Sequence, residues 1–427
     1  MPRLRVILGV RDICHYYSTV TRGFEQIGVD AHFFCLNEDT LDAYARDAKS
    51  PVVRLYLTAY RRFLRTRDAS RLSVGRYWAT FLVMAATLLA VLWIATTANA
   101  VIFKSGQSFF QSGIDLHLYK MIGIRVVFIF HGSDSRPPYL NAFYADKPVE
   151  LLRTWTNNTK AAIERLAGRA DYIVDNPASA QFHEEGMCCL YQVFGNPIDE
   201  ARLHTGGNLS REISELGTVR ILHAPSSAAL KGTSSIRKCV SQLKQEGFGI
   251  EYVELSGVPN SKVIEEIKNA DLIIDELYSD IHGATLSMEA IACGRPTIVG
   301  GYCFKQLEQV VPQEFIPPIV ACNPKDLYST VKCLLEDRTR LRRLRESCLD
   351  FYANVGCAKE VARRFVTLLE GKAPATWFFD VAANKVVGVV AGPPTAVLKN
   401  VRKLREHYGD DALRLGRKPE LEAQLPN

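Results

Sequence analysis

Short runs of uninterrupted apolar residues, rich in Val and Ile and each followed by a helical stretch, recur through this chain in two separate series. The first lies at 3–10, 29–36, 98–103, 125–130 and 171–175; the second at 219–224, 250–255, 270–275, 296–301 and 317–322. A strand with one wet face alternates apolar and polar residues, whereas a strand covered on both faces reads as a continuous apolar run. The pattern therefore demands parallel α/β sheets sandwiched by helices. Two such series predict an α/β protein of two Rossmann-like domains facing each other across a cleft, with ligands at the carboxyl ends of the strands. The boundaries expected are 1–205 for the first domain, 206–218 for a Gly-containing polar linker and 219–370 for the second. A tail at 371–427 is expected to pack partly back on the first domain.

At 427 residues the chain is long enough for both domains. Its formal charge of +6 suits attraction to a small anion or a membrane surface but is too weak for a nucleic-acid binder, so no nucleic acid is expected as partner. The 11 cysteines include no C-x-x-C and no zinc-ligand spacing, and Cys239, Cys293 and Cys333 sit in apolar helical patterns. Reduced, buried thiols are the expectation. The start MPRLRVILGV has too short an apolar stretch for an export signal, which points to the cytoplasm.

One segment strains this picture. From Tyr77 to Phe103 no side chain is charged, which is enough to cross a bilayer, and the preceding stretch sets Arg54, Arg61, Arg62, Arg65, Arg67, Arg71 and Arg76 against a single acid, Asp68. A crossing would put the strands at 3–10 and 125–130 on opposite sides of the membrane, although one sheet needs both. A buried or surface-embedded helix at about 78–95 is the preferred reading, with peripheral contact to an anionic inner membrane face included.

Chemistry concentrates in the loops after the strands. In VRILHAPSSAALKGT a strand, a Ser/Pro/Gly loop and a helix start bring Lys231, Gly232 and Thr233 where a diphosphate could meet backbone N–H groups and a point charge; an ordinary loop with a surface lysine would read the same way. Glu289 lies among Leu286, Met288, Ala290 and Ile291, where an unpartnered carboxylate is costly and a ribose diol would satisfy it; a role at the helix N-terminus is the alternative. His131 follows the apolar run 125–130, and His223 and His282 also stand at strand ends. Asp134 and Arg136 could form a local ion pair.

The residues at 219–301 resemble retaining, sugar-nucleotide-dependent glycosyltransferases of the GT-B fold, in the group that includes bacterial polysaccharide-biosynthesis enzymes (family 4, or group 1). HAPSSAALKGT looks like that family's donor-phosphate loop, and SMEAIACGRPTIV looks like its EAMACGxPVI signature. Weaker matches are VFGNPIDEARL, with Asn196 in it, and FIFHGSDSR. The resemblance implies that Glu289 holds the nucleotide ribose, that Lys231 and Gly232 hold the donor diphosphate with His223 and Asp280 nearby, and that His131 faces the transferred sugar. Lys231 and His131 would thus be the catalytic residues, with Asp134, Asn196 and His282 as secondary candidates. The chain departs from the pattern at Ile281, where the family has the first acid of its pair and Asp280 is one place off, and at Pro197, where it has Gly.

The resemblance further implies a hexosyltransferase-type enzyme that moves a sugar from a nucleotide-activated donor to a glycan or lipid-linked acceptor with retention. The first domain would serve the acceptor and the second the donor. With no Asp-x-Asp present, no metal and no cofactor are expected, and the basic loop would neutralise the leaving diphosphate. A sugar-nucleotide epimerase on the same fold and a non-catalytic binding subunit remain the alternatives.

Overall fold

The computed structural model describes residues 4–67, 73–110, 112–203 and 217–416. All of the expected linker except residues 217 and 218 lies outside them. The chain forms two compact units. One comprises Met1–Phe130, Arg165–Val174 and Ala362–Ala373; the other comprises His131–Glu164, Asp175–Val361 and Pro374–Asn427.

In the first unit, β1 (Arg5–Val10), β2 (Asp30–Cys35), β3 (Ala100–Lys104), β4 (Arg125–Ile129) and β5 (Tyr172–Asp175) pair in the order β5-β4-β3-β1-β2, all parallel. The second unit contains an antiparallel pair, β6 (Met187–Leu190) with β12 (Phe378–Asp380). It also contains β7 (Val219–His223), β8 (Ile250–Glu254), β9 (Leu272–Ile274), β10 (Thr297–Gly300) and β11 (Val320–Cys322), parallel in the order β11-β10-β9-β7-β8. Counted from its own first strand, each parallel sheet runs 2-1-3-4-5. This is a doubly wound order whose switch points fall between β1 and β3 and between β7 and β9.

The continuous apolar runs have their cause in the second sheet's two faces. Ile221, Ile274 and Ile298 face Ile236, Val240 and Leu243 of the Thr233–Gln245 helix, while Leu222 and Ile273 face Ile264, Ile267 and Ala290 on the other side. Adjacent positions on these strands are thus both asked to be apolar. The β6–β12 pair has no such signature, because its strands are short and lie outside both βαβ series. All 11 cysteines are free thiols; Cys14 and Cys333 correct the expectation of burial, Cys14 lying exposed in the loop after β1 and Cys333 on the solvent side of its helix.

The uncharged segment forms the helix Val74–Thr97. Ala79, Ala86, Thr87, Ala90, Val91 and Ile94 are buried. Trp93 packs edge-on against His32 and near Phe34 of β2, and Ala98 and Asn99 lead straight into β3, so the helix lies along its own sheet.

The tail is built into the second unit. Its apolar part lies against two loops: Gly388 N–H donates to Ala178 C=O, Gln181 Nε2 to Val386 C=O and Asn384 Nδ2 to Pro177 C=O. Its basic helix Pro394–Tyr408 docks through Asn400, whose amide donates to the carbonyls of Tyr139 and Asn141.

Candidate functional site

The switch point between β7 and β9 collects charged groups. Lys231 ends a short helix, Ala228–Lys231, and Gly232 turns the chain with φ +76° into the Thr233–Gln245 helix. A Cβ at Gly232 would come within 2.9 Å of the Leu277 side chain, so both conformation and space demand glycine. Lys231 Nζ donates to Glu276 Oε2 at 2.5 Å and lies 3.9 Å from Asp275 Oδ1. Asp275 accepts from the hydroxyl and backbone N–H of Ser287, on the helix Thr285–Ala292 that carries Glu289. Burial pushes the Asp275 carboxyl above its usual range, against the pull of Lys231.

Glu289 is 2% exposed, as its apolar neighbours implied, and its carboxylate is held by Asn260 Nδ2 at 3.1 and 3.3 Å. The loop between Glu276 and Glu289 is pressed against β10. A Cβ at Gly300 would lie 2.7 Å from the Leu277 backbone, which only glycine permits.

His223 is a structural group. A carbonyl can only accept, so Nδ1 donates to Ile274 C=O at 2.8 Å, and Nε2 then accepts from the Thr233 hydroxyl at 2.9 Å. Fully buried, the ring ties β7 to β9 and to the helix start, and burial lowers its pKa.

A second cluster in the same unit surrounds His131. Asn196 Nδ2 donates to Gly283 C=O at 2.6 Å, which turns its oxygen toward the Tyr191 hydroxyl at 2.8 Å. Tyr191 spends its proton there, and its oxygen is left to accept from His131 Nδ1 at 3.4 Å. The network assigns a proton to Nδ1. Asp134 accepts the His131 backbone N–H.

Arg136 does not form the local pair weighed for it with Asp134. Its guanidinium grips Asp280 Oδ2 through Nε at 2.9 Å and through Nη2, with side chains 10% and 7% exposed. Asp280 is further held through its carbonyl by Asn176 Nδ2. His282 is 1% exposed; its ring stacks on Phe304, Glu308 Oε1 lies 3.7 Å from Nε2, and neither ring nitrogen has a hydrogen-bond partner among the described residues. Burial lowers its pKa to about 4.

Thus Lys231 and Gly232 adjoin the acids at 275–276 and, through Ser287, the Glu289 helix; His131, Asn196 and the loop of His282 form a separate group. Sequence reasoning missed Glu276, Asp275, Asn260 and Tyr191. The acids stood in DELYSD right after a predicted strand, which was a usable signal; Tyr191 and Asn260 carried none. Also missed was a buried network in which Asp175 accepts from Ser135 and Ser179 and meets His183 Nε2 at 3.0 Å, ordering the HGSDSR loop from beneath.

The chain is similar to a crystal structure of a glycosyltransferase from Rickettsia africae, at 11% identity and TM-score 0.49, covering 87% of this chain and 99% of that one. It is also similar to Anabaena HepE in complex with UDP-glucose, at 9% identity and TM-score 0.46 over 86% and 100%. A candidate UDP-N-acetylglucosamine 2-epimerase from Listeria monocytogenes is similar at 11% identity and TM-score 0.43 over 86% and 96%. No protein-family model and no curated protein matches the chain.

Proposed function

We propose that this protein is a glycosyltransferase of the GT-B class that transfers a sugar from a nucleotide-activated donor. One observation carries the reading: Lys231 at the mouth of β7 meets the acids at the mouth of β9, at the switch point of the second sheet, with Glu289 on the next helix. Open α/β sheets bind ligands in that crevice. Lys231 would hold the diphosphate and offset the charge that grows on it as the bond to the sugar breaks, which requires no metal and no protein nucleophile. Glu289, its oxygens already aligned by Asn260, would accept the two ribose hydroxyls. His131 would present its Nε2 edge toward the transferred sugar. Retention, a hexosyl donor, a glycan or lipid-linked acceptor and a place at the cytoplasmic face of the membrane belong to the same proposal.

The Arg136–Asp280 pair favours a second reading. It engages the acid nearest the family's first acidic position, as a non-catalytic binding subunit could tolerate. Incubating the chain with a panel of nucleotide sugars, with and without glycan and lipid-linked acceptors, separates the two. Transfer to an acceptor supports the enzyme. Thermal stabilisation by nucleoside diphosphates with no turnover supports the binding subunit, and an epimerised sugar from donor alone overturns both.

A further inference from the structure

The outer side of the Val74–Thr97 helix is built from bulky apolar residues on one face. Trp78, Phe81, Met84, Leu88 and Leu92 recur at helical spacing and are 55–62% exposed. Small residues take the opposite role, with Ala79, Ala86 and Ala90 turned inward. An ordinary surface helix has the reverse distribution, because the larger side chains gain most from leaving water. Only 33% of its most apolar 18-residue stretch is buried.

Its polar atoms are disposed for an apolar medium. The three threonines outside the inward face donate back into the helix: Thr80 to Arg76 C=O, Thr96 to Leu92 C=O and Thr97 to Trp93 C=O. Hydrocarbon offers no hydrogen bonds, so a lipid-facing helix must satisfy such groups internally.

Charge is placed at one end. The preceding helix, Pro51–Arg65, carries four arginines and no acid, and Arg62 and Arg65 are exposed in its last turn. The two helices pack together, and the chain passes from Arg65 through residues 66–73 into Arg76, Tyr77 and Trp78. Basic and aromatic side chains beside an apolar surface are the composition that sits at the headgroup level of a bilayer.

We infer that this face is a membrane-docking surface. The Val74–Thr97 helix lies in the plane of an anionic bilayer, its bulky side immersed at the boundary of headgroups and acyl chains and the arginines on lipid phosphates. Trp93 and the direct run into β3 hold the helix on its own sheet, which gives an in-plane contact in place of a span.

The test is flotation of the full chain with vesicles of phosphatidylcholine alone or mixed with phosphatidylglycerol, with Trp fluorescence as a second readout. The chain is expected to float with the mixed vesicles and to shift its emission to the blue. Phe81→Ser with Leu88→Ser should lower partitioning at least roughly tenfold on both compositions. Arg62→Ser with Arg65→Ser should weaken only the binding to anionic vesicles, and salt should mimic it. These positions are exposed, so an unchanged melting temperature verifies the fold. The inference is overturned if the chain floats with neither composition, or if it binds equally well after the apolar substitutions. It is also overturned if those substitutions convert a dimer into a monomer while the parent chain ignores lipid.

Discussion

Lys231 donates to Glu276 across the switch point between β7 and β9, so the cation best placed for a diphosphate already has a carboxylate partner. A nucleotide must either displace that carboxylate or share the lysine with it. At the proposed donor site Glu276 would therefore act as a brake on ground-state binding, and its removal has a definite sign.

Glu276→Gln is expected to tighten nucleoside diphosphate binding by roughly fivefold, a gain of about 1 kcal/mol for releasing one partly exposed ion pair. Lys231→Ala should act mainly on the chemical step, reducing turnover by about 2.7 to 4 kcal/mol of transition-state stabilisation, as for loss of one oxyanion donor. Calorimetry and steady-state kinetics read the two separately. Lys231→Ala with unaltered binding and turnover removes the switch point from the donor site.

Glu289→Gln keeps the shape of the side chain and the Asn260 contact but loses the charge that a ribose diol would use. Nucleotide affinity should fall by about 1.5 to 3 kcal/mol, the range for hydrogen bonds to charged groups. Inorganic pyrophosphate should bind as before, because it has no ribose. Equal losses for both ligands on a variant of unchanged melting temperature would show that Glu289 only shapes the loop.

Tyr191→Phe retains the ring edge packed on His131 and deletes the hydroxyl that fixes its tautomer. His131→Ala removes the imidazole itself. Both are expected to slow sugar transfer while leaving nucleoside diphosphate affinity within about twofold, and the Phe variant should also shift the pH profile of the remaining activity. Loss of nucleotide binding in either would move His131 into the donor subsite.

The Arg136–Asp280 pair is nearly buried, so breaking it should cost far more than replacing it. Asp280→Asn is expected to destabilise the chain by about 3 to 5 kcal/mol through the guanidinium left behind, whereas Arg136→Met combined with Asp280→Leu should recover most of that loss. Urea unfolding of the three proteins checks it. A double variant as unstable as the single one would mean that Asp280 matters for the loop's backbone and not for the pair.

Much of this architecture was legible because both-faces burial leaves a direct record in sequence: Ile221 and Leu222 point to opposite helical layers, so neither could be polar. The β6–β12 pair left no record, since Cys188 and Cys189 on one strand and Phe378 and Phe379 on the other form no repeating unit. Site residues were legible where one position is chemically improbable, as with Glu289 inside an apolar helix. Tyr191 could not be found that way, because an aromatic residue in a buried segment is ordinary until the Asn196 amide behind it is seen to point its hydroxyl. Arg136 illustrates the opposite failure, as its nearest acid in sequence, Asp134, is not the acid it meets in space.

His282 gives the chain a pH dependence whose sign can be worked out. Its ring is buried against Phe304 with no hydrogen-bond partner among the described residues, and burial lowers its pKa to about 4. In the unfolded chain a histidine titrates near 6.5. Between those values the unfolded state binds the proton and the folded state does not, so stability falls as pH drops below about 6.5 and the loss stops near pH 4, where both states are protonated. At pH 5 the two values correspond to about 2 kcal/mol. His282→Phe keeps an aromatic ring on Phe304 and cannot titrate. Any packing penalty it carries is the same at every pH, so the informative quantity is the difference between the two proteins as pH changes. That difference should move by about 2 kcal/mol in favour of the variant between pH 7 and pH 5 in urea unfolding. Stability curves that run parallel over this interval would mean that His282 is protonated in the folded chain, with Glu308 as its counter-charge.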